Sequence, residues 1–287
     1  MHIESYAKIN LGLRVLGRRT DGFHEIETIF QQISLKDDLE IELIDRDRDI
    51  EIKTIPPVCP DNETNLAFRA AKILQGTMNR RLGCRIVIRK NIPIGAGLGG
   101  GSSNAAATLT AMNELLKAGL NRKKLTELAS RLGSDVPFFI LGGTALGEGR
   151  GEKLTPLKSM PVYTGLLISP PLHISSAWAY QNSNFSLTKT FKKSKLRSFT
   201  RISSQTEKWR HFLRNDLEDV VFHKYPYLKE VVDRLYDLGA FHARMSGSGS
   251  SLFGLFESGE VATTAGTFFK KEFDTFLFEP VNEGGVL

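Results

Sequence analysis

The chain has 287 residues, 41% of them hydrophobic and 24% charged, so it has material for one large or two ordinary cores and is neither disordered nor fibrous. Its two cysteines, Cys59 and Cys84, with no C-x-x-C or H-E-x-x-H, exclude a disulfide framework and a recognisable zinc site, and fit a reducing, cytoplasmic setting. No uncharged apolar run nears the roughly 18 residues of a membrane span, Met1-His2-Ile3-Glu4 lacks a leader's basic-then-apolar order, and the net charge of +6 implies solubility more than a polyanionic partner.

Leu11, Leu13 and Val15 alternate with Gly12, Arg14 and Leu16, predicting a strand with one wet face. The same period appears at Leu39, Ile41 and Leu43, at Ile50 and Ile52, and at Ile86 and Ile88. Helical spacing follows at Leu66, Ala70 and Ile73, at Leu109, Met112 and Leu116, and at Leu125, Leu128 and Leu132, with stops at Gly76, Gly119 and Gly133. Asp45, Asp47 and Asp49 mimic the opening of a calcium loop. Ile50 in place of the turn glycine and Pro56 in place of the bidentate glutamate make it a solvated hairpin instead. The N-terminal half therefore reads as an antiparallel sheet mixed with helices, and the pattern loosens near residue 155 through Pro161, Pro170 and Pro171. A polar stretch runs from Gln181 to Gln205. Beyond it come a helix over Leu228, Val231, Val232, Leu235 and Leu238 stopped by Gly239, a strand at Leu252 to Phe256, and a last strand at Phe276 to Val281.

The stretch Pro93-Ile94-Gly95-Ala96-Gly97-Leu98-Gly99-Gly100-Gly101-Ser102-Ser103 lies between the Ile86/Ile88 strand and the Leu109/Met112 helix. So many glycines are not there for packing. Bare backbone lets successive N–H groups turn toward one point, and Ser102 or Ser103 then starts a helix whose positive end favours an anion, such as a phosphate chain. A dinucleotide fold needs an acidic residue ending the next strand, and this chain has Ala118-Gly119-Leu120-Asn121 there. A Walker loop needs G-K-[ST], and no lysine lies between Pro93 and Ser103.

With Ala7-Lys8-Ile9-Asn10-Leu11 before this loop and Met245-Ser246-Gly247-Ser248-Gly249-Ser250-Ser251 after it, the chain resembles the galactokinase, homoserine kinase, mevalonate kinase and phosphomevalonate kinase (GHMP) superfamily. The resemblance runs nearly the whole length, weakest from Gln181 to Gln205. It implies a two-domain α+β architecture, residues 1–155 binding nucleotide on a mixed or antiparallel sheet like domain 2 of ribosomal protein S5. Residues 156–287 would form an α/β sandwich, with the active site in the cleft between. Thr20-Asp21-Gly22-Phe23-His24-Glu25 and L-G-G-G-S-S-N-A-A are similar to one branch, whose small-molecule acceptor is the 2-hydroxyl of a cytidine-diphosphate-linked methylerythritol.

Phosphoryl transfer to an alcohol needs the γ-phosphate held, its charge met, and the hydroxyl relieved of a proton. Asp135 follows the Gly133 helix stop and precedes apolar Phe138-Phe139-Ile140, which suits a base on a dry wall; G-S-D before Pro137 is also an ordinary turn and capping sequence. The resemblance points to Asp135 as well and makes Lys8 its partner, orienting the carboxylate and meeting charge on the acceptor oxygen. By itself Lys8 reads as a solvated strand lysine. The resemblance implies that Asn10 binds substrate, that His24 reads a cytosine edge, and that Phe23 stacks where most relatives carry tyrosine. Tyr180, with Trp178 as rival, would stack on the other side. ATP is the implied cofactor, carrying Mg²⁺ with protein ligands unassigned. Asn65 and Lys90 would sit near its base or ribose and Pro93 to Ser103 on its phosphates; Asn65 also reads as a plain N-cap. Ser246, Gly247, Ser248 and Gly249 would approach the substrate diphosphate with Arg244 nearby, or form a tight turn. A side chain at Gly97 is expected to block the nucleotide.

Two alternatives are a homoserine or mevalonate type kinase, which has no use for a base-reading His24, and a nucleic-acid binder using the basic run Lys189 to Arg201 with Phe191 and Phe199 interleaved. No membrane or nucleic acid is the expectation, and oligomeric state is left open between monomer and weak dimer.

Overall fold

The computed structural model describes residues 1–44, 49–78, 83–158, 160–183 and 196–282. Asp45, Asp47 and the run from Lys189 to Lys195, with Phe191, lie outside them.

Two long strands build the first sheet, β1 (His2–Arg18) and β2 (His24–Ile44), paired antiparallel. β3 (Ile50–Ile55) leads into helix α1 (Leu66–Thr77), and β4 (Gly83–Arg89) returns beside β3 in parallel. That pair departs from the antiparallel expectation because a helix is inserted between the strands, and a crossover brings a chain back in its starting direction. Helices α2 (Gly100–Leu115), α3 (Arg122–Ser130) and α4 (Val136–Leu141) follow, then β5 (Thr144–Gly149) and β6 (Lys153–Pro156). The sheet order is β3-β4-β2-β5-β6, with β1 also on β2. Its helical face is sealed by Leu39, Ile41, Ile86 and Ile88 against Leu74, Leu109, Met112, Leu125 and Phe138.

The second sheet is β7 (Thr164–Ser169), β8 (His242–Met245), β9 (Leu252–Phe256) and β10 (Asp274–Phe278), in the order β10-β7-β9-β8 with every pair antiparallel. Between β7 and β8 the chain forms α5 (Ser176–Asn182), α6 (Trp209–Phe212), α7 (Glu218–Lys224) and α8 (Pro226–Asp237); α9 (Gly259–Phe269) joins β9 to β10. Alternation divides β9 cleanly. Leu252 and Phe256 pack with Leu228, Leu235 and Ala262 of α8 and α9, while Phe253 and Leu255 pack with Ile9, Leu11, Ile29 and Ile33 of the first sheet. The two sheets thus share one apolar seam.

That seam changes the reading of β1. From Ala7 to Leu13 the strand is buried on both faces, not wet on one. Ala7, Ile9 and Leu11 face the seam, and alternation turns Lys8 and Asn10 to the opposite side. Register shifts at Tyr6/Ala7 and Asn10/Gly12 bracket this run, so the strand bends on either side of the residues it presents. Among the helix stops, Gly239 follows α8 with φ +96 as expected, whereas α1 runs through Gly76 to Thr77. The last strand starts at Asp274 and ends at Phe278, earlier than the predicted Phe276 to Val281; Pro280 makes only an isolated bridge to Ile33. Phe199, offered above as a nucleic-acid stacker, is fully buried against Trp209, with ring centroids 5.3 Å apart.

Candidate active site

The three glycine- or lysine-bearing motifs meet in space. Lys8 Nζ donates to Asn10 Oδ1 at 2.7 Å and to the Gly97 carbonyl at 2.9 Å, and lies 3.4 Å from the Asp135 carboxylate. These are three partners for three ammonium hydrogens. Asn10 is held in turn: its amide donates to Thr28 Oγ1 at 2.7 Å, and its backbone N–H donates to Ser246 Oγ. Ser246 Oγ donates onward to the Gly97 carbonyl at 3.0 Å. Lys8 is only 4% exposed, so it is no solvated strand lysine. Asp135 does stand at the N-cap position of α4, yet its side chain makes no capping bond. The carboxylate, with 33% of its side chain exposed, is left facing Lys8 and a cavity.

That cavity measures about 770 Å³ and reaches from Lys8, Asn10 and Asp135 past Gly247, Ser248 and Gly249 to Phe23, His24 and Tyr180. A second cavity of about 350 Å³ is lined by Asn65, Lys90, Pro93 to Ser102 and Asn104. Gly95, Gly97 and Gly99 line both, so the glycine loop is the wall between them. These three glycines have φ of +64, +79 and +70, which a side chain rarely tolerates. Helix α2 starts at Gly100 behind Gly99, with no side-chain cap. The serine N-cap expected from the sequence is therefore absent: Ser103 is fully buried and its hydroxyl accepts from Ser5 Oγ at 2.7 Å. Leaving the first turn uncapped keeps its N–H groups available to an anion in the second cavity. A Cβ at Gly97 would overlap the Ser246 carbonyl oxygen, so this glycine is required first by the third motif's approach.

Behind the loop, the fully buried Asp37 carboxylate accepts from Asn91 N at 2.8 Å, Ile92 N at 2.9 Å, Asn104 Nδ2 at 2.9 Å and from Lys90 Nζ. Lys90 thus lines the smaller cavity while paired from behind. Asn65 caps α1 through Ala67 N at 3.0 Å, as its N-cap reading expected, and also borders that cavity.

At the far end of the larger cavity, His24 stacks on Tyr180, with centroids 5.0 Å apart and planes at 23°. Burial, and then Arg18, hold the His24 pKa below the usual histidine value. Phe23 is half-exposed, and the Arg150 guanidinium lies 4.8 Å from its ring centroid. Trp178 does not border the cavity; it packs on Tyr225 and Lys224. Arg244 does not either, since its guanidinium donates to the carbonyls of Leu213, Ala243 and Arg210. Ser246 is fully buried and reaches the site only through Asn10 and Gly97.

Sequence reasoning passed over Arg150, His173 and Asp37. Arg150 had a signal, because it is bracketed by Gly149 and Gly151, with φ of +75 and +106. His173 follows the Pro170-Pro171 pair, and a Cβ at Gly95 would overlap its ring.

The GHMP kinases N terminal domain model matches residues 65–143 and the GHMP kinases C terminal model residues 202–275. Proteins named 4-diphosphocytidyl-2-C-methyl-D-erythritol kinase from Solibacter usitatus and Syntrophotalea carbinolica are 44% and 40% identical over 260 and 279 residues. The matches cover 89% and 96% of this chain and 81% and 98% of those relatives. The chain belongs to the 4-diphosphocytidyl-2-C-methyl-D-erythritol kinase family. A crystal structure of 4-(cytidine 5'-diphospho)-2C-methyl-D-erythritol kinase superposes on this family member with a TM-score of 0.84 at 35% identity, covering 99% of this chain and 100% of that one. Homoserine kinase from Cytophaga hutchinsonii, at 20% identity and a TM-score of 0.75 over 99% and 96% of the two chains, shares the fold of the kinase family.

Proposed function

We propose that the chain transfers the γ-phosphoryl group of ATP to the 2-hydroxyl of 4-diphosphocytidyl-2-C-methyl-D-erythritol, in the cytoplasm, within the non-mevalonate route to isoprenoid precursors. The observation that carries the reading is the Lys8–Asp135 pair, set where a glycine wall separates a larger cavity from a smaller one. In this proposal ATP fills the smaller cavity, its phosphates against Gly95 to Ser102 and the uncapped end of α2. The acceptor fills the larger one, its cytosine between Phe23 and Tyr180, its diphosphate along Gly247 to Gly249, and its hydroxyl at Asp135. A neutral His24 offers one N–H and one lone pair, which suits a base edge that itself both donates and accepts.

Asp135 takes the hydroxyl proton as the oxygen bonds to the γ-phosphorus, and the bond to the β–γ bridging oxygen breaks to release ADP. Lys8 fixes the carboxylate's direction and faces charge gathering on the acceptor oxygen. Mg²⁺ is proposed to arrive on ATP, where it neutralises phosphate charge. Among the described residues no group of three or more His, Cys, Asp or Glu forms a metal cluster, and Ser102 is the hard-oxygen side chain of the loop that fits as a protein ligand. No helix among the described residues is long and apolar enough to cross a membrane.

The test is an ADP-release assay with 4-diphosphocytidyl-2-C-methyl-D-erythritol, mevalonate and homoserine offered separately. Turnover of the cytidine substrate alone is expected; preference for either of the others would overturn the assignment.

A further inference from the structure

The third glycine motif has no covalent neighbour in the first, yet Gly247 sits against Asn10 and Lys8: a Cβ built there would lie 3.1 Å from Asn10 Oδ1 and 3.7 Å from Lys8 Nζ. The turn closes on itself, Ser246 N donating to the Ser251 carbonyl at 2.9 Å and Gly249 N to the Ser246 carbonyl at 3.0 Å, and Ser246 Oγ ties it to Asn10 and Gly97; a second set of bonds joins it to β1 from outside. The segment Asn215-Asp216-Leu217-Glu218, which no motif above includes, is in contact with both sides.

On the β1 side, Leu13 N donates to the Arg214 carbonyl at 2.8 Å and Asp216 N donates to the Leu13 carbonyl at 2.9 Å. The Asp216 carboxylate accepts from Val15 N at 2.9 Å and pairs with Arg14. On the glycine-turn side, Asn215 Nδ2 donates to the Met245 carbonyl at 2.9 Å and to the Gly247 carbonyl at 2.7 Å. Its Oδ1 accepts from Leu217 N at 3.0 Å, and Met245 N donates to Glu218 Oε1 at 2.8 Å. Asn215 is 3% exposed, so its amide is committed to these carbonyls rather than to solvent.

We propose that Asn215 is a positioning residue for phosphoryl transfer: its amide fixes the Met245–Gly247 turn relative to β1, and so sets the larger cavity's wall against Asn10 and Lys8. The inference rests on the proposed assignment of that cavity to the acceptor. Asparagine is the residue type that fits, because a single side chain must supply two donors to two carbonyls and one acceptor to its own loop. Aspartate would face both carbonyls with negative charge, and leucine would leave both unpaired.

Asn215→Ala in the full chain tests this with two independent readouts. The first is backbone hydrogen exchange, which does not depend on the identity of the acceptor: exchange across residues 245–251 is expected to rise at least about tenfold while residues 95–103 keep the wild-type rate. The second is steady-state kinetics, in which acceptor KM rises about tenfold and kcat falls while ATP KM stays within about twofold. A merely structural role would lower the active fraction and leave both KM values alone. Unchanged exchange at 245–251, or equal shifts in the two KM values, overturns the proposal. Wild-type protein that does not turn over the cytidine substrate overturns the assignment of the acceptor, while the exchange result still decides the role of Asn215. Should Asn215→Ala not fold, Asn215→Ser, which retains one donor, is read by the same two measurements.

Discussion

Asp135→Asn separates catalysis from stability more sharply than any other change at this site. The carboxylate makes no capping bond to α4, its recorded partner is Lys8 at 3.4 Å, and a third of its side chain meets solvent. Asp135 is one-third exposed while Lys8 is buried, so loss of the charge costs on the order of 1 to 3 kcal/mol, more than a surface pair and less than a fully buried one, and the unfolding temperature is expected to fall by no more than about 10 °C. Asparagine has nearly the same shape, and Lys8 keeps Asn10 and Gly97 as acceptors, so the wall between the cavities stays in place. What disappears is the group proposed to receive the acceptor's proton. Loss of a general base lowers turnover by on the order of 10² to 10⁴, or roughly 3 to 5 kcal/mol of barrier. The assay is coupled ADP release at saturating ATP and acceptor, run beside ATP-analogue binding and thermal unfolding on one preparation. A variant that folds and binds ATP normally yet keeps kcat within about tenfold of wild type would refute the assignment of the base.

Other predictions follow the same geometry. Gly97→Ala puts a Cβ onto the Ser246 carbonyl at φ +79, so it is expected to lower the unfolding temperature and raise KM for both ATP and acceptor; an effect on ATP alone would show that the phosphates, not the third motif, require this glycine. Asp37→Asn removes a charge that receives four donors behind the loop and is expected to raise ATP KM at least about fivefold while leaving acceptor KM within twofold, as measured by varying each substrate in turn. Glu218 is held up at about 7 by burial, against the pull of Arg244 and Met245 N and with Asp219 and Asp216 adding to the rise. A carboxyl raised in this way binds its proton more tightly folded than unfolded. Its cost is therefore absent below about pH 4.5 and complete above about pH 7, on the order of 3 kcal/mol. Glu218→Gln is expected to gain stability relative to wild type between pH 5 and pH 8 in thermal unfolding runs, and a constant gap across that range would contradict the sign.

Much of this site was legible because its chemistry is written in residues that do little else. A run of glycines between a strand and a helix has no packing use, and its exclusion from the dinucleotide and Walker patterns narrowed it further. Lys8 was different. Its neighbours Ala7 and Ile9 give an alternation that fits a strand with one wet face equally well, and the lysine on a wet face would be solvated. The deciding fact is that the second sheet covers one side of β1 while the Gly97 carbonyl, Asp135 and the Phe30 ring close around Lys8 on the other, and no local period reports a partner that arrives from residues 164–256.

The same physics explains the missing strand β7. Thr164-Gly165-Leu166-Leu167-Ile168-Ser169 shows no period of two because both of its faces are apolar: Leu166 and Ile168 face α8 and α9, and Leu167 faces the first sheet. A central strand hides its period where burial is greatest. Asn215 and Asp37 were illegible for a related reason. Asn215 bonds the backbone of a distant segment, and Asp37 takes two of its four donors from backbone, which carries no residue-type signal for a partner to match. The motifs supply the atoms at the proposed reaction, and the buried polar residues that set their spacing become visible only once the chain is folded.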